Sequence, residues 1–248
     1  MNSINLVRSE LRKLTTTRMP LAFGAVLIVL AVTNGIAVAI GTDMDGSKTF
    51  ISTALDQQSL IAFAANSLMI AGLFGAIAVA REYAHNTVIS TYLNTPNRAR
   101  AVRAQLTAIG VAGAVLGMVG AALTVIGVAL SLPFTDYGFM VSATGVVQVI
   151  AASAWAGAVG AVLGAGIGTV VRNTGGAVSG AVLALIIAPP LIIQLASGSA
   201  PWVPGPLAIA ASGIAAEPSA AAAVAALGLW ALVPALIALW AVEHRDVT

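Results

Sequence analysis

The sequence predicts an all-α integral membrane protein with six transmembrane helices. Of its 248 residues, 59% are apolar and only 8% are charged, whereas a soluble domain carries roughly 25% charged residues. The apolar residues form six runs, each long enough to cross about 30 Å of hydrocarbon as a helix. The basic residues between these runs collect on one side of the predicted membrane. The whole chain, residues 1–248, is therefore read as a single transmembrane domain.

Residues 1–19 predict an amphipathic helix lying in the membrane interface, because basic side chains alternate there with apolar ones. The first span follows directly. A secretory signal peptide is the alternative for this start, since Ala37-Val38-Ala39 resembles a cleavage site. The apolar run from Leu21 to Ile40 is longer than the hydrophobic part of a signal peptide, which favours a span.

The distribution of charge sets the predicted orientation. The spans are predicted at residues 20–40, 59–80, 104–130, 141–171, 175–196 and 221–242. Six spans place both termini on the same side. Of the eleven lysines and arginines, all except Lys48 fall on that side, and the positive-inside rule makes it cytoplasmic.

Spans five and six are joined by an interrupted segment. Pro189-Pro190 is expected to break or kink the fifth helix before its end. Residues 197–218 are too rich in proline and glycine to cross the membrane, and they predict a short hairpin that re-enters the outer leaflet. Pro234 is expected to bend the last helix.

The longest polar stretch, residues 81–103, joins spans two and three. Its apolar residues Val88, Ile89, Tyr92 and Leu93 recur at the spacing of one helix face. Pro96 should end this helix. The pattern predicts a short amphipathic helix at the cytoplasmic surface that another protein can bind.

Glycines recur every four residues in the middle spans, as helices that pack closely in lipid require. The series are Gly160, Gly164 and Gly168 in span four, Gly113 and Gly117 in span three, and Gly176 and Gly180 in span five. Packing within one chain and a seam between two subunits are both compatible with this pattern.

The spans hold no Asp, Glu, Lys, Arg or His well inside them. Because ion-coupled pumps generally place such groups at membrane depth, a proton-driven mechanism is disfavoured. The deep polar side chains are neutral and serve either helix–helix hydrogen bonding or a translocation path: Asn34, Asn66, Ser67, Gln148 and Gln194.

The sequence lacks the residues that several other functions require. No catalytic motif is present, the chain has no cysteine, and two histidines offer no metal site. The positive charge is sorted by membrane side, so it does not indicate nucleic-acid binding. Residues 41–49 nearly match a phosphate-binding loop, but one residue too many separates Gly46 from Lys48. An ATP site in this chain is therefore not expected.

A six-span bundle without an energy source, carrying an amphipathic cytoplasmic helix between spans two and three, resembles the membrane subunits of type-2 ATP-binding-cassette (ABC) exporters. The resemblance covers nearly the whole chain. Its most specific residues match a glutamate at the end of the second span, a Gly-Thr-like pair and a Thr/Ser-Pro pair closely followed by arginine. These positions read Glu82, Asn86-Thr87 and Thr95-Pro96-Asn97-Arg98, with asparagine in place of the usual glycine.

The resemblance implies a coupling helix at residues 81–95 that binds a separate cytoplasmic ABC ATPase. The implied interface residues are Glu82, Tyr83, His85, Asn86, Thr87, Val88, Ile89, Tyr92 and Leu93. The partner would bind ATP and Mg²⁺, while this chain would bind no cofactor and would itself be no enzyme. A second permease copy or a close paralogue would complete the path in a bacterial plasma membrane, for an amphipathic drug, antibiotic or lipid. The alternatives are a self-contained secondary carrier and a non-transporting immunity or scaffold protein.

Overall fold

The chain is an all-helical, multi-pass membrane protein. The computed structural model describes residues 3–42, 46–85, 87–88, 97–215 and 217–244. Six helices in these ranges are long and apolar enough to cross a membrane: Met19–Ile40, Ala54–Ala84, Arg98–Phe134, Ala143–Val171, Thr174–Leu195 and Ala220–His244. The predicted fold class and the six predicted spans are thereby confirmed.

Two of the six spans each consist of two α-helices, and further short helices in the described residues lie outside the spans. The α-helices whose bounds lie within the described residues are, in chain order, α1 (Ser3–Thr15), α2 (Met19–Ile40), α3 (Ala54–Ala62), α4 (Ser67–Ala84), α5 (Arg98–Ser131), α6 (Ala143–Val171), α7 (Thr174–Val182), α8 (Ala188–Leu195), α9 (Pro204–Ala210) and α10 (Ala220–His244). Span two consists of α3 and α4, and span five consists of α7 and α8.

The second span begins earlier than predicted, at Ala54. A reciprocal capping box explains the early start: the Thr53 hydroxyl accepts from the Asp56 backbone N–H at 3.2 Å, and the Asp56 carboxylate accepts from the Thr53 N–H at 3.0 Å. A 3₁₀ turn, Phe63–Asn66, then separates α3 from α4. Such turns inside a helix often mark a hinge or a functional site.

Helix α6 lies at the centre and packs closely against α4 along one face. A methyl group built on Gly164 would lie 2.7 Å from the carbonyl carbon of Gly72, and one on Gly168 would lie 2.8 Å from the Ala76 oxygen. A methyl on Gly160 would collide with the backbone of α4 in the same way. These glycines therefore let two helix backbones touch.

Helix α6 packs equally closely against α5. Methyl groups built on Gly113 and Gly117 would lie 3.0 Å from the Gly157 carbonyl carbon and 2.8 Å from that of Ser153. In α7, a methyl on Gly180 would lie 2.9 Å from the Ile167 side chain. The glycine series thus serve packing within the chain, as the first of the two predicted alternatives requires.

The prolines of span five are accommodated without ending the helix. A π-helical segment, Leu183–Ile187, directly precedes Ala188 and Pro189. Proline lacks a backbone N–H and crowds the preceding turn, and the wider π turn relieves that crowding. The break predicted at Pro189-Pro190 therefore takes the form of a local widening, and the helix continues to Leu195.

The segment after span five folds as a 3₁₀ turn, Ser197–Trp202, and helix α9. Leu207, Ala208 and Ala210 of α9 are buried in the cluster that joins α4, α6 and α10. The Trp230 indole N–H donates to the Trp202 carbonyl oxygen at 3.1 Å, which fixes the turn to α10. Whether this segment re-enters the outer leaflet stays a prediction.

One face of α6 is less covered. An apolar groove of about 710 Å³ lies between α6, the π segment and α10. Its lining includes Leu163, Ala226 and Trp230. At its base a methyl on Gly166 would lie 2.8 Å from Pro234, so a missing side chain on α6 makes room for the ring on α10.

Candidate functional site

The N-terminal helix α1 packs onto the bundle through one face that carries Leu6, Glu10 and Leu14. Leu6 and Glu10 are 4% and 6% exposed, and Leu14 contacts the buried clusters of α4 and α5. These positions are four residues apart and therefore share one helix face. A carboxylate on a buried face requires a partner of opposite charge.

Lys13 supplies that partner and extends the contact to α4. Its ammonium nitrogen lies 2.7 Å from the Glu10 carboxylate and 3.7 Å from that of Glu82. The Gln105 side chain of α5 approaches the same Glu82 carboxylate. We call this group of Glu10, Lys13, Glu82 and Gln105 the basic rim, because arginines flank it in the sequence at positions 8, 12, 81 and 103. It ties α1, the end of α4 and the start of α5 together.

The end of the second-span helix differs from the prediction. Span two was expected to end at Ala80, whereas α4 continues to Ala84, and the His85 N–H donates to the Arg81 oxygen at 3.0 Å. Residues 81–84 contain no glycine or proline to end the helix, and the lysine offsets the charge of Glu82. Glu82 and Tyr83 thus belong to the last turn of α4 and not to a separate coupling helix.

Arg172, at the end of α6, lies beside the last turn of α4, next to the basic rim. It ends α6 in the left-handed conformation at φ 60°, and its N–H donates to the Gly168 oxygen at 2.9 Å. Its guanidinium lies 5.6 Å from the centre of the Tyr83 ring, within the range of a cation–π contact. The tight turn between spans four and five is thereby linked to the end of α4.

The residues predicted to bind an ATPase occupy different environments. Glu82 and Tyr83 are half-buried, while His85 and Thr87 are exposed. Val88 is only 4% exposed, so this chain itself covers its side chain. Positions 90, 91, 94 and 95 of the predicted coupling helix lie outside the described residues, as do the remaining four interface residues: Asn86, Ile89, Tyr92 and Leu93. The predicted interface stays a prediction.

Three of the five residues proposed for a translocation path come together. Asn34, Asn66 and Ser67 line a cavity of about 240 Å³, together with the buried Thr124 of α5. We call it the polar cavity. It lies between α2, α5 and the 3₁₀ turn of span two, about halfway along α2.

The other two residues lie elsewhere. Gln148 is exposed and lines a separate depression beside Trp155 and Ser212. Gln194 is exposed near the end of α8. The five polar residues therefore do not form one continuous path within a single copy of the chain.

Comparison with known proteins adds no family to this description. No protein-family model matches the chain, and no curated protein matches its sequence. The functional interpretation therefore depends on the geometry of the rim and of the polar cavity.

The rim links three helices. Its two carboxylates both lie near the Lys13 nitrogen. Among the described residues, no three His, Asp or Glu side chains come together in a way that could hold a metal. The sequence analysis did not assign Glu10, Lys13 or Gln105 to the site. The periodicity of Leu6, Glu10 and Leu14 was the signal that could have identified them.

Proposed function

We propose that this chain is the membrane permease subunit of an ATP-driven type-2 ABC exporter, working with a separate cytoplasmic ABC ATPase and a second permease copy or close paralogue. The ion pair between Lys13 and Glu82 carries the proposal. It joins the amphipathic N-terminal helix to the last turn of α4, at the start of the segment that the resemblance assigns to ATPase binding. A partner that displaces this segment would move α1 and α4 together.

Close packing would carry such a displacement into the membrane. Helix α4 has 18 residues, which corresponds to about 27 Å at 1.5 Å per residue. Glycines hold it against α6, and α6 in turn against α5. Closely packed helices move as a unit and not by gradual deformation. The far end of α4, at Ser67, lines the polar cavity, so movement at the rim would reach it.

The predicted ATPase interface is tested by coexpression and copurification with a candidate ABC ATPase, chosen by a search of the adjacent reading frames for a soluble protein with the phosphate-loop signature. Tyr92→Asp and Leu93→Asp place a charge on the apolar stripe and should each abolish the complex. Phe139→Asp is the matched control, because Phe139 is 40% exposed in the loop between α5 and α6, far along the sequence from the rim. This variant should retain the ATPase.

Membrane insertion of all three variants is checked by extraction and size-exclusion chromatography. An ATPase retained in full by both stripe variants would refute the proposed interface. Stimulation of ATP hydrolysis by a transported amphiphile in the reconstituted complex would separate an exporter from a scaffold protein.

A further inference from the structure

Two carboxamides that line the polar cavity have no hydrogen-bond partner among the residues that the structure describes. Asn34 and Asn66 both line it, and within the described residues neither side chain hydrogen-bonds another residue. Asn66 immediately precedes α4, yet its side chain does not cap that helix. A polar group held in hydrocarbon without a hydrogen bond is costly. Both side chains are partly buried and line the cavity, so a molecule that enters it can supply hydrogen bonds to them.

The two hydroxyl groups that line the cavity each already donate a hydrogen bond to a backbone oxygen. Ser67 donates to the Ser153 oxygen at 3.4 Å, and Thr124 donates to the Gly120 oxygen at 2.9 Å. Each hydroxyl oxygen can still accept a hydrogen bond, while each carboxamide can both donate and accept. The residues that line the cavity carry no charge. The cavity is thus suited to an uncharged group that both donates and accepts.

The volume limits how much of a molecule can enter. About 240 Å³ corresponds to roughly eight water molecules at about 30 Å³ each. Pockets for whole drug-sized ligands begin at about 300 Å³. Leu30 and Phe63 line the same cavity and are 44% and 54% exposed. Only a head group fits, and these exposed apolar side chains provide a contact for an attached tail on the lipid side.

We propose that the polar cavity binds the neutral amide group of an amphipathic molecule, which enters sideways from the bilayer and leaves its alkyl tail among the lipids. An amide offers the same donor and acceptor as asparagine and can form a hydrogen bond with each of the two carboxamides. The identification of this cavity as the head-group site of the exported substrate rests on the proposed function. The binding itself can be measured without an ATPase.

The test uses the full chain in phosphatidylcholine nanodiscs and a photoactivatable probe, hexadecanamide with a diazirine near its amide end. After irradiation, mass spectrometry locates the labelled residues. We expect labelling at residues 63–70 and around Asn34, and we expect dodecanamide to compete with it. Methyl dodecanoate, which has no donor, should compete poorly.

Variants then test the hydrogen bonds. Asn34→Leu and Asn66→Leu keep a similar side-chain volume and should each lower labelling by about fivefold, the effect of losing one hydrogen bond between neutral groups. Gln194→Leu removes an exposed carboxamide from another span and should leave labelling unchanged. Thermal unfolding of each variant checks that the fold is retained.

Three results would overturn the proposal: labelling unchanged in both asparagine variants, equal competition by dodecane, or labelling confined to the apolar groove beside Trp230. The wild-type competition result stands even if a variant fails to fold. Amide binding without ATPase copurification would refute the exporter and keep this site. ATPase copurification without amide binding would refute the site alone.

Discussion

The two sides of α6 are packed in opposite ways. Against α4 and α5, glycines bring helix backbones into contact, so that even one added methyl group has no room. Toward span five and α10, the same helix borders an apolar groove of about 710 Å³. Backbone contact resists relative movement, whereas a groove filled by lipid or by a mobile side chain does not. The α4–α6–α5 layer is therefore the rigid part of the bundle, and the groove side is where spans can shift.

The largest expected effect comes from Gly164→Ala, which tests the rigid side. The new methyl group would lie 2.7 Å from the Gly72 carbonyl carbon and would push α4 and α6 apart. We expect a loss of about 3 kcal/mol in the free energy of unfolding, at the upper end for overpacking. Tryptophan fluorescence during denaturation in detergent measures it.

Gly24→Ala is the control for this prediction. No atom lies within 4 Å of the methyl group it would add to α2, so its stability should stay near that of the wild type. Equal stability of the two variants would show that the contact between α4 and α6 is not close in solution.

An intermediate effect is expected at the basic rim, which forms one end of the rigid layer. Lys13→Met leaves the Glu10 and Glu82 carboxylates without the ammonium that lies near both. Because Lys13 is 43% exposed at its side chain, the loss should be about 1–2 kcal/mol, between the values for exposed and buried ion pairs. Arg12→Met removes the same charge from the exposed face of α1 and should change little.

A second substitution distinguishes loss of the ion pair from loss of packing. In Lys13→Met, adding Glu82→Gln removes one of the unneutralised carboxylates and should restore part of the stability. Additive losses in the double variant would mean that the two side chains do not interact.

The smallest effect is expected on the open side of α6. Ala226→Leu directs a larger apolar side chain into the groove, where room exists. The change in unfolding free energy should stay below about 1 kcal/mol, the range for well-tolerated apolar substitutions. A loss as large as that of Gly164→Ala would contradict the difference between the two sides of α6.

The span assignments needed no tertiary information. Backbone groups in lipid must be satisfied within the same helix, so an apolar run of sufficient length specifies a span locally. Four predicted spans agree with the structure to within two residues. Span two starts early at the Thr53–Asp56 capping box and continues past Ala80, and span three extends over Arg98–Phe134 where residues 104–130 were predicted. The amphipathic N-terminal helix was likewise predictable from its own periodicity, while its position in the membrane interface stays a prediction.

Contacts between spans could not be predicted from the sequence, because they depend on how each helix is rotated about its axis. The spacing of Gly160, Gly164 and Gly168 placed them on one face, but only the fold showed that α4 covers that face. The pairing of Lys13 with Glu82 joins residues that are far apart in the chain. In the same way, only the fold brought Asn34 and Asn66 into one cavity and left Gln148 and Gln194 outside it. Length and apolarity along the chain determine the spans, while the matching of helix surfaces decides which polar groups meet.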